Sequence, residues 1–192
     1  MLEYQTIEEL CREAEAAGKT ISALVLADQA EQMGQTEQAL YDKMAERFHV
    51  MKDAVQAGQK PELRSASGLT GGDAAKMAAY AQSGGITGGF LNRAITRALA
   101  VSEYNAAMGK IVAAPTAGSC GILPGTIVSL EEEGHCTERE AVLSLFTAGA
   151  FGMVIAAQAS IAGAEGGCQA ECGSASAMAA AALVELSGGT PT

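Results

Sequence analysis

The chain contains no tryptophan, and aromatic residues fill only 4% of its 192 positions. A β-sandwich core is built from aromatic and β-branched side chains, so this poverty points to closely packed helices instead. No cluster of Lys or Arg is present, and the formal net charge is −10. Nothing is therefore arranged to neutralise phosphates, which argues against a nucleic-acid partner. There is no Cys-x-x-Cys pair with a nearby histidine, no G-x-G-x-x-G fingerprint and no P-loop. A structural zinc site and the common nucleotide-binding loops are set aside on that ground. The polar start Met1–Glu9 lacks the apolar segment of a signal peptide, and the five cysteines are an odd set without a disulfide framework. A reducing cytoplasm is the expectation.

What is present is hydrophobic: 48% of the residues, with alanine dominant. The expected class is all-α, a bundle of helices around Gly-rich loops, with an N-terminal helical segment over residues 1–60 and a second helical portion over 61–192. Thr6 and Glu9 have the spacing of a capping box, and Thr20 opens a second helix carrying Ile21, Leu24, Val25 and Met33. Thr36 to Val55 places Leu40, Met44, Phe48 and Met51 on one face. Further helices are expected over Asp73–Gln82, Leu91–Met108 and Leu123–Glu132, and from Glu138 with Thr137 as N-cap. The run from Ala141 to Ala164 has no charged residue and is long enough to raise a membrane span of about 20 residues. Glycines and polar residues interrupt it and no basic flank orients it, so two packed core helices are expected, with no membrane partner. Gly188 to Thr192 reads as a helix C-cap followed by the opening of another element, as if the chain were cut between helices.

Between the helices lie three unusual stretches: Arg64–Asp73, Ala113–Gly121 and Gly163–Ser176, all rich in glycine and short polar residues. The third brackets Cys168 and Cys172 and is expected to be a loop before an Ala-rich helix. There a helix N-terminus would favour a thiolate at Cys168. One or two cysteines cannot complete a cluster or a tetrahedral zinc site, so a ligand at Cys168 requires partners from outside the chain. Cys172 is expected to be a packing residue, Cys120 a loop residue or neighbour of a cluster, and Cys11 and Cys136 incidental.

The motifs Ser67-Gly68-Leu69-Thr70-Gly71-Gly72-Asp73, Asn105-Ala106-Ala107-Met108-Gly109, Ala114-Pro115-Thr116-Ala117-Gly118-Ser119 and Gly166-Gly167-Cys168-Gln169-Ala170-Glu171 occur in that order. Together they resemble the α subunit of the two-chain, iron–sulfur-dependent bacterial L-serine dehydratases. The resemblance implies a lyase that converts L-serine to pyruvate and ammonia with a 4Fe–4S cluster. It also implies that Cys168 is one of three cluster ligands, with the other two in Cys-Asp-Pro and Val-Pro-Cys segments beyond Thr192. A β subunit is the implied partner, and the chain alone is expected to be inactive.

Thr70, Asp73, Asn105, Thr116 and Ser119 are then candidates for orienting the substrate carboxylate and ammonium, although capping and turn formation account for such residues equally well. Glu165 and Glu171 flank Cys168 and read as a solvated face, a supporting pair or a base. His49 and His135 are expected to be structural. Lys76 and Lys110 raise a pyridoxal-phosphate Schiff base as another route to serine deamination, without the usual motif context. The alternatives are a related cluster-dependent cysteine lyase and a non-catalytic helical assembly module.

Overall fold

Threonine hydroxyls start most helices in one part of the chain. In the computed structural model, which describes residues 4–192, Thr6 accepts from the Glu9 amide at 3.0 Å and opens α1 (Ile7–Ala16). The reciprocal arm from Glu9 goes to the amide of Gln5 rather than that of Thr6. The polar start Met1–Glu3 lies outside the described residues. Thr20 caps α2 (Ile21–Met33), and Thr36 accepts from Ala39 at the start of α3 (Glu37–Gly58). The remaining helices are α4 (Asp73–Gln82), α5 (Gly89–Ala106), α6 (Ile122–Glu132), α7 (Glu138–Gln158) and α8 (Gly163–Leu186), with a 3-10 turn at Ala117–Ser119. No strand occurs among the described residues, so the expected all-α class holds.

The chain divides into two units. The first holds the described chain up to Glu46 together with Cys136–Thr192; the second is Arg47–His135. In the first, Leu10, Ile21, Leu24, Val25 and Leu40 bury with Phe146 and Ala150 of α7 in one apolar cluster. Burying each of the larger side chains in it stabilises by about 1.5–3 kcal/mol before conformational entropy is subtracted. Helix α7 carries a full capping box from Thr137 and Glu140. By length and composition it could cross a membrane, but 56% of its most apolar window is buried within the protein, as in a core helix.

The second unit packs the later part of α3 with α4, α5 and α6. Glycine lets α5 approach its neighbours: a Cβ on Gly58 would lie 1.9 Å from the Ala100 carbonyl oxygen, and one on Gly121 would lie 2.3 Å from that of Ala98. The Lys52–Glu131 ion pair at 2.9 Å joins α3 to α6, and bonds from Arg93 and Arg97 to Glu133, Glu132 and Ser129 join α5 to the end of α6.

The structure corrects four expectations. Gly163–Ser176 is not a loop; it belongs to α8, whose helical run is broken only at Gly167 (φ 67°, ψ −168°). The other glycines of this stretch keep a helical backbone, and only Gly167 takes a positive φ. Cys168 therefore opens the segment after this break. Cys172, expected to pack, is exposed. Met33 is 55% exposed, off the buried stripe of α2. Helix α5 ends at Ala106 rather than Met108, which takes a left-handed φ of 64°.

Candidate functional site

Helix α4 begins at Gly72, which has no side chain to cap the free amides of the first turn. A carboxylate from α5 does so instead. Glu103 accepts from the backbone N–H of Gly72 at 3.1 Å, Asp73 at 2.6 Å and Ala74 at 3.4 Å. The preceding turn closes on itself: Ser65 N–H donates to the Thr70 carbonyl at 2.8 Å, and Thr70 N–H donates to the Ser65 hydroxyl at 3.1 Å. It is tied to the end of α5 by the Ala66 amide, which donates to the Ala106 carbonyl at 2.8 Å. Gly71 is needed here, since a Cβ would meet the Leu63 carbonyl oxygen at 2.2 Å.

Asp73 points its carboxylate outward, 2.8 Å from the Lys76 ammonium. The hydrogen bond and charge of Lys76 hold its pKa below the ordinary carboxylate range, with a smaller contribution from Arg64. The group is thus ionised and accessible at neutral pH. Thr70 is exposed, and its hydroxyl makes no hydrogen bond among the described residues.

The same end of α5 holds the other polar loop. Asn105 Nδ2 donates to the Ala117 carbonyl at 3.1 Å, fixing the 3-10 turn after the cis Ala114–Pro115 bond. In that turn the Thr116 and Ser119 hydroxyls lie 3.1 Å apart. Ser119 is 2% exposed while Thr116 is half-buried, so Thr116 is the member of the pair that can turn to a ligand. Bonds from the closing residues of α5 thus hold both loops that carry Thr70, Asp73, Thr116 and Ser119, with Asn105 between them. Sequence reasoning missed Glu103. The available signal was a Gly-Gly helix start with no capping side chain of its own, which calls for an acceptor from elsewhere.

Cys168 belongs to the other unit. Its thiol is exposed, immediately after the left-handed Gly167. Glu165 is exposed and Glu171 half-buried, its carboxylate 2.5 Å from where a Gly163 Cβ would stand. Cys11 and Cys120 are buried, and burial raises both thiol pKa values, with Glu15 adding to the effect at Cys11. Neither is poised as a thiolate ligand. Among the described residues no three His, Cys, Asp or Glu side chains gather to hold a metal ion. The donors fit one accessible cysteine ligand and do not fit a complete cluster site. Lys76 is paired with Asp73, Lys110 is exposed, and the His135 ring meets Phe90 edge-on at 6.0 Å. Cavities of about 280 Å³ in the first unit and 260 Å³ in the second are lined by none of the sequence-predicted site residues.

Comparison with known proteins matches residues 16–192 to the family model described as "Serine dehydratase alpha chain". The chain is 46% identical over 189 residues to the probable L-serine dehydratase alpha chain of Bacillus subtilis, covering 98% of this chain and 63% of that protein. Against the L-serine dehydratase alpha chain of Peptoniphilus asaccharolyticus it is 42% identical over 185 residues, covering 96% and 62%. It is 39% identical over 191 residues to the L-serine dehydratase of Streptomyces coelicolor, covering 98% and 42%. The chain thus spans a little under two thirds of the first two relatives and less than half of the third.

Proposed function

This chain belongs to the serine dehydratase alpha-chain family, and from that premise we propose that it furnishes part of the active site of an iron–sulfur L-serine dehydratase, a cytoplasmic lyase forming pyruvate and ammonia. The observation that carries this reading furthest is the pair of polar loops held at the end of α5. L-Serine presents an ammonium, a carboxylate and a hydroxyl, and a site for it needs an ionised acceptor beside hydroxyl donors. Asp73, kept ionised by Lys76, is the acceptor for the ammonium. Thr70 and Thr116 supply hydroxyls to the carboxylate, with Thr116 steadied by buried Ser119. Asn105 spends its amide on the Ala117 carbonyl and so holds the turn in place.

Cys168 is the ligand this chain gives to a 4Fe–4S cluster, and the other ligands come from residues outside Met1–Thr192. When bound, the cluster would supply a Lewis-acidic site for the departing hydroxyl. A β subunit completes the assembly, and this chain alone does not turn over serine.

The test is anaerobic reconstitution of this chain alone and of the complete assembly that contains it, reading cluster absorption and serine-dependent pyruvate release. Cluster and activity in the assembly only, both lost in Cys168→Ala, are the expected outcome. An assembly that binds no iron and releases no pyruvate would overturn the reading and favour a helical assembly module. Faster elimination from L-cysteine than from L-serine would reassign the substrate.

A further inference from the structure

We infer that Glu103 is a positioning residue for the substrate: its carboxylate sets the placement of Asp73 by holding the start of α4. This rests on the proposed dehydratase function. The first amides of any helix have no partner within it, and a helix that starts on glycine has no side chain of its own to satisfy them. At α4 the amides of Gly72, Asp73 and Ala74 all donate to Glu103, one of them belonging to Asp73 itself at 2.6 Å. The charge of the carboxylate suits the positive end of the helix dipole, and charge-assisted bonds of this kind are the stronger class.

Glu103 has no need to touch substrate to matter. Two residues along the same helix, Asn105 fixes the second polar loop, and the Ala106 carbonyl receives the Ala66 amide from the first. Glu103 is therefore the charged member of a short stretch that aligns both loops. Gly71 and Gly72 take φ of 136° and 84°, a backbone that only glycine adopts readily. Without Glu103, the amides of Gly72, Asp73 and Ala74 have no other acceptor among the described residues. Loosening the helix start displaces the ammonium acceptor, so binding should suffer before chemistry does.

The experiment compares the complete assembly with its Glu103→Gln form, a variant of equal size that loses the charge and replaces one of the two acceptor oxygens with an NH2 donor. Glu103→Asp, which keeps the charge but shortens its reach, is the second variant and guards against misfolding of the first. Hydrogen exchange is followed at Gly72, Asp73 and Ala74, alongside the serine KM and kcat. In Glu103→Gln the three amides should exchange about tenfold faster, and KM should rise about tenfold with kcat within about twofold. Glu103→Asp should fall between it and the parent.

Combining Glu103→Gln with Asp73→Asn should raise KM by less than the product of the single effects, because one acts through the other. Unchanged exchange at the three amides, an unchanged KM, or effects that multiply would each overturn the inference. Parent assembly that releases no pyruvate from serine sinks the dehydratase reading instead, and the exchange rates then still decide whether Glu103 holds α4.

Discussion

The two units start their helices differently. In the first, α1, α2, α3 and α7 each open on a threonine whose hydroxyl accepts from an amide three residues on. In the second, α4, α5 and α6 open on glycine, and none has a side-chain cap of its own. Glu103 reaches across from α5 to supply one for α4. Local caps make a helix self-sufficient, whereas a borrowed cap makes its position depend on a neighbour. The exception in the first unit is α8, which follows Ala162 without a side-chain cap and is broken again at Gly167. It is also the helix that carries Cys168. Every sequence-predicted site residue thus lies on, or beside, a helix or turn whose start lacks a side-chain cap of its own.

The largest expected effect tests that association directly. Cys168→Ala should abolish iron binding and serine turnover in the complete assembly, yet change stability by no more than about 0.5 kcal/mol, because the side chain is exposed. A clear loss of thermal stability would make the thiol a structural residue and break the association. Next in size, Gly121→Ala drives a Cβ to within 2.3 Å of the Ala98 carbonyl oxygen. It should cost about 3 kcal/mol in denaturant unfolding, with hydrogen exchange rising between α5 and α6 first. Thr137→Ala removes the capping box of α7 and should cost about 1 kcal/mol, while Thr137→Ser should be nearly neutral. A neutral alanine would mean that α7 is held by its buried face alone.

The smallest effect concerns acid. Hydrogen bonds and charge lower the pKa of Asp73 through Lys76 and of Glu133 chiefly through Arg93, while the Thr137 backbone and hydroxyl lower that of Glu140. For carboxylates with depressed native pKa, the stabilisation is present above the ordinary value of about 4 and is lost as pH falls through the native one. Salt should weaken the share from Asp73, an exposed ion pair, more than that from half-buried Glu133 or from Glu140, which leans on hydrogen bonds. A pH titration of stability at two ionic strengths, with Thr137→Ala alongside, separates the two contributions.

The same contrast explains what could be read from the amino-acid order. Thr6, Thr20 and Thr137 stand immediately before apolar periodicity, so the starts of α1, α2 and α7 were legible from neighbours alone. Helix α4 was also bounded correctly, since Gly71-Gly72 and Ser83 punctuate it. The residue that completes its start was not, because Glu103 and Asp73 lie thirty positions apart and no local pattern links them. The error at Gly163–Ser176 came from counting glycines: their number suggested a loop, but only Gly167 adopts a backbone that interrupts a helix. Asp73, Asn105, Thr116 and Ser119 were legible as polar residues at helix junctions, while the division of labour among them needed coordinates. Asn105 and Ser119 spend their groups internally, whereas Asp73 and Thr116 keep theirs accessible.

The first unit is made of two stretches that enclose the whole of the second in the order of synthesis. Leu10, Ile21, Leu24 and Val25 find part of their burial against Phe146 and Ala150 of α7. As the chain leaves a ribosome, α1 and α2 therefore emerge with an apolar face whose partner has yet to be translated, while Arg47–His135 can gather its own helices in the meantime. The apolar stripe of the opening helices is the part of a nascent chain that chaperones would be expected to shelter, until the arrival of α7 covers it.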